Sequence, residues 1–304
     1  MDTYMSVTAY GSGNQQAVKN SEQLVISLEN LWSVTKQNSD IGLVNSSDGN
    51  STVVSPRTAE IISYAKDMNV RTGGALDISL YPVVKEWGFT NGNYHIPDDA
   101  RISELLKYVN AKDIAVKDNW VTLRKGMMID LGAVAKGYAA DLIAEQLVSE
   151  GVSSAAIDLG GNVRTVGKKP NGEKWVIGLR SPESDGLFGT LSTDETAIAT
   201  SGGYERYFKS DGKRYCHILD PKTGRPAESG LLSVSVIAPE AKLCDSLSTA
   251  LFVLGADKAE ELRKSLGGFE YIIVTDKHEV LVSSGVFDGF ELDSSCSDWK
   301  VTKI

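Results

Sequence analysis

The amino-acid sequence predicts a mixed α+β fold. Short segments with alternating or continuous apolar residues, typical of strands, recur through the chain, and several of them end in glycine turns. Longer segments with apolar residues at three- and four-residue intervals lie among them and predict amphipathic helices. Because short strands dominate the second half while helices recur throughout, we expect mixed, mostly antiparallel sheets with flanking helices.

Composition limits the size of the fold and the classes of ligand. The chain has 304 residues with 41% hydrophobic content, which allows one large domain or two lobes, and no segment looks like a linker. We therefore predict a single domain over residues 1–304 that could comprise two lobes. The net charge of -9, without a Lys/Arg block, excludes an electrostatic surface for nucleic acid or an anionic membrane.

Cysteine content and hydropathy exclude two further classes. Three cysteines, far apart in the chain, are too few for a disulfide framework and lack the paired spacing of a zinc site. No apolar run approaches the length of a membrane span, and no charged-then-apolar leader follows the first residue. The sequence by itself therefore shows neither an anchor nor an export signal.

The first part of the chain predicts one strand followed by helices. Residues 5–10 alternate as a strand, and a glycine turn at 11–14 leads into a helix. The turn does not match the dinucleotide fingerprint G-x-G-x-x-G, because Gln16 occupies the third glycine position. Apolar spacing then predicts helices over 56–70 and around 80–87.

The remaining elements alternate between short strands and helices. Residues 91–119 are polar, with a short helix over 102–109, and we interpret them as a peripheral excursion. Residues 120–123 and 127–131 predict paired strands, and a helix is predicted from Gly132 onward. The further predicted strands are 155–159, 175–179, 197–201, 214–219, 232–237, 271–275 and 280–283, with helices at 245–254 and 257–266.

Two glycine-containing turns are candidates for binding phosphate. In Thr72–Asp77, paired glycines permit a ligand to approach the backbone closely, although a tight loop would have the same composition. In Asp130–Tyr138, a predicted strand ends at Asp130, and Lys136 falls in the first turn of the next helix, where a phosphate is favoured. A capped helix with an exposed lysine remains the alternative, since this is not a Walker sequence.

Asp245 and Thr249 form a candidate cation site. They are one helical turn apart on a helix that we predict to begin at Asp245, so their oxygens lie on one face. Magnesium needs few protein ligands, because waters and substrate phosphates complete its octahedron. The alternative is that both residues have structural roles. The helix N-terminus would favour the Asp245 carboxylate, and the Thr249 hydroxyl would donate a hydrogen bond back to a backbone carbonyl.

His217 is a candidate catalytic residue. It is one of three histidines, and it alone stands in a motif rich in Asp, Pro, Thr and Gly. A histidine can accept a proton from a hydroxyl nucleophile near neutral pH. Equally, His217 could be a strand residue that hydrogen-bonds the loop after it.

Taken together, these segments resemble the ApbE family of FAD:protein FMN transferases. The resemblance extends from about residue 1 to residue 286. The most specific part pairs His217–Pro226, which matches His-Ile-Leu-Asp-Pro-x-Thr-Gly-x-Pro, with Asp245–Thr249, which matches Asp-x-x-x-Thr. The other matching segments are Met1–Thr3, in which Asp2 replaces the family's glycine, Gly74–Phe89, Asp130–Tyr138, Gly160–Asn162 and Thr200–Gly202.

The resemblance implies a fold and a set of residue roles. The fold would be a bilobal α+β fold related to the tunnelling fold, binding FAD with Mg²⁺ at its pyrophosphate. Asp245 and Thr249 would bind Mg²⁺ through side-chain oxygens, and Ala133 through its backbone carbonyl. His217 would be the general base. The residues that would line the FAD site are Met1, Ala75, Leu76, Asp77, Asp130, Lys136 and His217.

The resemblance also implies a reaction. A threonine hydroxyl of an acceptor flavoprotein, such as a redox-pump subunit or an FMN-binding domain, would attack the FMN-side phosphorus of FAD and release AMP. Two alternatives stay open: an Mg²⁺-dependent FAD pyrophosphatase that yields FMN and AMP, and a non-catalytic flavin-binding lipoprotein. Kinship further implies an extracytoplasmic protein, anchored by lipid to the cell membrane in its full-length form.

Overall fold

The computed structural model describes residues 3–304, so the prediction for Met1 lies outside the described residues. Its α-helices are α1 (Gln15–Trp32), α2 (Asp40–Asn45), α3 (Pro56–Arg71), α4 (Tyr81–Glu86), α5 (Asp99–Leu106), α6 (Ala135–Ser149), α7 (Ala241–Leu254) and α8 (Ala256–Leu266). Its strands are β1 (Ser6–Ala9), β2 (Thr52–Val53), β3 (Ala115–Lys117), β4 (Trp120–Thr122), β5 (Ala155–Asp158), β6 (Asn162–Val166), β7 (Trp175–Arg180), β8 (Leu187–Thr193), β9 (Ala197–Gly202), β10 (Tyr207–Ser210), β11 (Lys213–Cys216), β12 (Leu231–Ala238), β13 (Glu270–Thr275), β14 (Glu279–Val282), β15 (Phe290–Leu292) and β16 (Lys300–Lys303).

The described chain forms two compact units, each built from separate segments. One, here the helical unit, contains residues 26–135 and 206–227. The other, here the sheet unit, contains the described residues before 26 together with 136–205 and 228–304. The described chain passes between the units within α1, at the start of α6, after Glu205 and after Ala227.

The sheet unit is built on an eight-stranded sheet with the order β1-β5-β6-β9-β12-β13-β14-β16. Neighbouring strands are antiparallel except β14 and β16, which are parallel. Helix α7 packs against β9 and β12, and buries Leu247, Ala250 and Leu251. The predicted α+β class with mostly antiparallel sheets is confirmed.

The helical unit has its own core, formed where α4 and α5 meet the 217–226 loop. The buried residues of this cluster are Leu80, Val83, Trp87, Phe89, Ile102, Leu105 and Leu219. The Trp87 indole donates a hydrogen bond to the Gly224 carbonyl at 2.8 Å. Gly224 has φ +65°, and a Cβ there would lie 2.7 Å from the Ile102 side chain, so only glycine lets the loop close on this core.

The predicted strand over 127–131 is wrong. The backbone N–H of Ile129 donates to the Asn45 side chain at 2.7 Å, and that of Asp130 donates to the Ile78 carbonyl at 2.9 Å. Both donors are thus satisfied by loop and side-chain partners, and a strand ladder does not form. A turn follows, and α6 begins at Ala135 rather than Gly132.

The predicted start of the helix at Asp245 is also wrong. Helix α7 begins at Ala241, one turn earlier, so Asp245 does not lie at the end with unpaired N–H groups. The N-cap residue is Glu240, which is not a preferred capping residue and makes no side-chain capping bond, so no local signal marks this start. Helix α5 likewise begins before the predicted 102–109, at Asp99, since the Asp98 carboxylate accepts the Arg101 N–H at 2.7 Å.

None of the helices in residues 3–304 combines the length and the apolar character that a membrane crossing would require.

Candidate functional site

The predicted site residues fall into two groups, one in each unit. Lys136, Asp245 and Thr249 belong to the sheet unit. The remaining described ones, which are Ala75, Leu76, Asp77, Asp130, Ala133 and His217, belong to the helical unit.

Asp245 is held by two groups from the start of α6. Its side chain is 5% exposed, and its Oδ2 accepts the backbone N–H of Gly137 at 2.9 Å. Its Oδ1 faces the Lys136 ammonium at 3.7 Å. The carboxylate therefore lies at a helix N-terminus, but at that of α6 rather than that of its own helix.

Thr249 lies one turn further along α7, in a chain of hydroxyl groups. The Ser201 hydroxyl of β9 is 3.2 Å from the Thr249 hydroxyl and 2.9 Å from that of Ser248. Ser248 in turn donates to the Asp245 carbonyl at 3.0 Å. Sequence reasoning gave Ser201 no role, and its only signal was the match of Thr200–Gly202 to a family motif.

Lys136 lies in the first turn of α6, as predicted. Its side chain is 28% exposed, so the ammonium is partly shielded from solvent beside the Asp245 carboxylate. A partly buried ammonium at a helix N-terminus is suited to pairing with a phosphate oxygen. The alternative role, an exposed lysine on a capped helix, predicts a more exposed side chain than this one.

In the helical unit, the Asp77 carboxylate is saturated by protein donors. Its Oδ1 accepts from the backbone N–H and the hydroxyl of Ser79, at 2.8 and 2.5 Å. Its Oδ2 accepts from the Asn69 amide and from the Ala111 N–H, both at 3.2 Å. These bonds favour a structural role for Asp77, because its carboxylate fixes the loop.

Ala75 and Leu76, at the same loop, have buried side chains that are 5% and 1% exposed. Any contact that they make with a ligand would therefore come from the backbone. The Leu76 carbonyl is already an acceptor, since it receives the Asn69 amide at 2.8 Å.

Asp130 and Ala133 lie in the turn before α6. Asp130 Oδ1 accepts the Gly132 N–H at 2.6 Å, and the Leu131 carbonyl accepts the N–H groups of Val134 and Ala135. The turn is thus closed by its own hydrogen bonds.

Asp130 also affects the nearby Tyr81 phenol. Burial raises the pKa of this phenol, a hydrogen bond with Thr90 lowers it, and the Asp130 charge raises it further.

His217 directly follows β11, whose last residue is Cys216, instead of lying within the predicted strand. Its backbone N–H donates to the Arg206 carbonyl at 3.0 Å, and its Nδ1 is 3.1 Å from the same oxygen. Since a carbonyl only accepts, Nδ1 carries the proton in the neutral ring, and Nε2 is then the basic nitrogen. This tautomer suits a general base.

The donor chemistry of Asp245 and Thr249 fits magnesium. Within residues 3–304, no cluster of three or more His, Cys, Asp or Glu could hold a metal ion. One carboxylate and one hydroxyl, with backbone oxygen and substrate phosphates, form the hard oxygen set that Mg²⁺ accepts. Ala133 is the predicted backbone ligand, and its role stays a prediction.

Comparisons with known proteins agree with the motifs. The FAD:protein FMN transferase of Klebsiella pneumoniae (strain 342) is 34% identical over 268 residues, which cover 86% of this chain and 83% of the relative. A crystal structure of an ApbE protein from Thermotoga maritima superimposes with a TM-score of 0.83 at 30% identity and covers 97% of this chain and 94% of that one. The flavinyl transferase ApbE of Pseudomonas stutzeri gives a TM-score of 0.82 at 28% identity, over 90% of this chain and 88% of that one. Because the model of the ApbE family also matches residues 1–273, the chain belongs to the ApbE family.

Proposed function

We propose that this protein is an Mg²⁺-dependent transferase that moves FMN from FAD to a threonine hydroxyl of an acceptor flavoprotein. One observation carries the proposal. Asp245 and Thr249 lie one turn apart on α7, and the Lys136 ammonium is 3.7 Å from the Asp245 carboxylate. A hard-cation ligand pair beside a cationic group is what binding of a diphosphate requires. Family membership and the relative from Klebsiella pneumoniae support the same activity.

The proposed reaction replaces the phosphoanhydride bond of FAD with a phosphoester bond to the acceptor. The acceptor threonine oxygen bonds to the FMN-side phosphorus of FAD, and the bond from that phosphorus to the bridging oxygen breaks, so AMP leaves. His217 Nε2 takes the threonine proton, and Lys136 offsets the charge that grows on the leaving phosphate. Mg²⁺ held by Asp245 and Thr249 would further neutralise the diphosphate charge.

Intact-mass spectrometry of the acceptor tests the proposal. The purified protein is incubated with FAD, Mg²⁺ and an FMN-binding acceptor domain that carries the target threonine, and AMP is measured in parallel. We expect the acceptor to gain the mass of one FMN less one water, as a phosphoester requires, with one AMP released for each transfer. An acceptor variant with Thr→Val at the target is the control and should gain no mass.

The same experiment separates the alternatives. Free FMN and AMP with an unmodified acceptor would identify a pyrophosphatase, in which water replaces the threonine. Bound FAD without any AMP would identify a flavin-binding protein. Either result contradicts the proposed transfer.

Kinship supports two further proposals about partners and location. We propose that the natural acceptor is a redox-pump subunit or another flavoprotein with an FMN-binding domain. We also propose that the full-length protein is lipid-anchored on the extracytoplasmic side of the cell membrane. Fractionation of cells that express the full reading frame tests the location, and recovery in the cytosolic fraction would contradict it.

A further inference from the structure

Helices α6 and α7 cap each other through two carboxylates. Asp141 of α6 accepts the N–H of Ala241 at 2.8 Å and the N–H of Lys242 at 2.9 Å, which are the first two N–H groups of α7. In return, Asp245 of α7 accepts the N–H of Gly137, the third residue of α6, at 2.9 Å. On each helix, the carboxylate lies one turn after the N–H group that the carboxylate of the other helix binds. The two helix N-termini are therefore fixed to one another.

Asp141 replaces a local cap that α7 lacks. The N-cap residue Glu240 makes no capping bond with its side chain, so the first N–H groups of α7 depend on Asp141. Asp141 lies in the sequence among the buried residues Ala140, Ile143 and Ala144. Burial of an acidic side chain there would be unfavourable without hydrogen-bond partners.

The charge of Asp141 is supported from β6. Its side chain is 13% exposed, and the Arg164 guanidinium lies 3.8 Å from Oδ1. Arg164 also pairs with Glu195 at 3.3 Å. Burial is the largest effect and leaves the pKa of Asp141 raised, while its hydrogen bonds from Lys242 and Ala241 and the Arg164 charge partly offset that rise.

The crossing of the two helices leaves no room for adjustment. A Cβ at Gly137 would lie 2.3 Å from the Ala241 carbonyl oxygen and 2.7 Å from the Asp245 Cβ. The backbone of α6 therefore touches α7 at the two residues that take part in the capping. The start of α7 and the Asp245 side chain therefore pack against the same residue of α6.

We propose that Asp141 is a positioning residue, which sets the carboxylate of Asp245 for Mg²⁺ binding by fixing the N-terminus of α7. Asp141 binds the first two N–H groups of α7, and so it would act on Asp245 through that helix. The inference rests on the proposed metal role of Asp245 and Thr249.

Magnesium binding measured by calorimetry tests the inference, using Asp141→Asn and the unaltered protein. An asparagine keeps the shape but loses the charge and one acceptor oxygen, so one N–H of α7 loses its partner. We expect the dissociation constant for Mg²⁺ to rise about tenfold or more. We further expect KM for FAD and the Mg²⁺ requirement to change more than kcat at saturating Mg²⁺.

Asp40→Asn is the matched control. Asp40 Oδ2 accepts the N–H of Ser55, the N-cap of α3, at 2.8 Å, and the Thr58 hydroxyl at 2.6 Å. This variant also removes the charge of a part-buried carboxylate that binds the start of another helix, but α3 carries no predicted metal ligand. It should lower the unfolding midpoint without changing the Mg²⁺ dissociation constant.

An Mg²⁺ affinity of Asp141→Asn within twofold of the unaltered protein would overturn the inference. If Asp141→Asn does not fold, Asp141→Glu replaces it, because it keeps the charge but shifts the carboxylate by one methylene. This variant should weaken Mg²⁺ binding at least threefold, and unchanged binding would again overturn the inference. Failure of the proposed function is distinct: the unaltered protein would then bind Mg²⁺ but leave the acceptor mass unchanged.

Discussion

At the scale of the residue, the environment of Asp245 defines its role more than its own helix does. Its carboxylate is nearly buried, and it faces the Gly137 N–H and the Lys136 ammonium rather than open solvent. Electrostatic attraction between a carboxylate and a cation is stronger in such a low-dielectric setting than in water.

Asp245→Asn should abolish the response to Mg²⁺. The amide oxygen can still accept the Gly137 N–H, so the fold should persist, but the charge that attracts the cation is gone. Metal-ion stabilisation is worth several kcal/mol, so we expect FMN transfer to fall by about 100-fold or more. Initial rates across an Mg²⁺ titration provide the measurement, and unaltered rates at every concentration would refute the metal assignment.

Two substitutions of Thr249 test whether its hydroxyl oxygen binds Mg²⁺. Thr249→Ser keeps the hydroxyl beside Ser201 and should retain most of the activity. Thr249→Val keeps the shape but removes the oxygen, and should raise the Mg²⁺ concentration that gives half-maximal rate by about tenfold. Equal Mg²⁺ dependence in the two variants would show that this oxygen is not a ligand.

At the scale of the element, the site depends on how α6 crosses α7. Gly137 is the point of closest approach, because any Cβ there would meet the α7 backbone. The α6 segment places Lys136 and the Gly137 N–H on one side of this crossing, and α7 supplies Asp245. A pair of helices thus brings together residues that are about a hundred positions apart in the chain.

Gly137→Ala should separate the two helices. Overpacking at a close contact costs about 1–3 kcal/mol, so the free energy of unfolding should fall by that amount, with weaker Mg²⁺ binding. Gly186→Ala is the control, since a Cβ there meets nothing closer than 3.6 Å. Urea unfolding measures both, and equal stability of the two variants would contradict the tight crossing.

Helix α8 provides an acid-sensitive element in the sheet unit. Glu260 accepts hydrogen bonds from the Arg263 Nε at 2.9 Å and from the Tyr271 hydroxyl of β13 at 3.0 Å. Chiefly through the Arg263 bond, the pKa of Glu260 falls from 4.5 to about 2. A depressed folded-state pKa stabilises the fold above the unfolded value, and this stabilisation is lost as the pH falls from 4.5 towards 2.

Glu260→Gln should therefore lower stability at pH 7 and flatten its decline in acid. Urea unfolding at pH 7 and at about pH 3 measures the difference, and only the unaltered protein should lose the Glu260 contribution between them. Glu261→Gln, on the same helix with a side chain 66% exposed, is the control and should follow the unaltered protein. Parallel pH profiles for Glu260→Gln and the unaltered protein would contradict the assignment.

At the scale of the whole molecule, ligand binding should be visible as stability. A ligand that binds only the folded state adds about 2.7 kcal/mol at a hundredfold excess over its dissociation constant. If Mg²⁺ binds with the FAD diphosphate, the two together should raise the unfolding midpoint by more than the sum of their separate effects.

Thermal unfolding with FAD, with Mg²⁺ and with both measures this coupling. The excess should disappear in Asp245→Asn, whose carboxylate is the proposed ligand. Strictly additive shifts in the unaltered protein would show that the two ligands bind independently.

The sequence determined the fold class, because apolar periodicities and glycine turns are local signals. It also determined the family, through His217–Pro226 and Asp245–Thr249, since each motif is contiguous in the chain. Lys136 in the first turn of a helix was predictable for the same reason.

Only the tertiary structure decided what those residues touch. The start of α7 could not be found locally, because its cap is Asp141, about a hundred residues earlier. The Asp245 carboxylate was predicted at its own helix end, yet it binds the N-terminus of α6. Likewise, Asp77 is fixed by donors from separate segments. Hydrogen bonds between distant segments leave no periodic trace in a sequence, so they become visible only when the chain is folded.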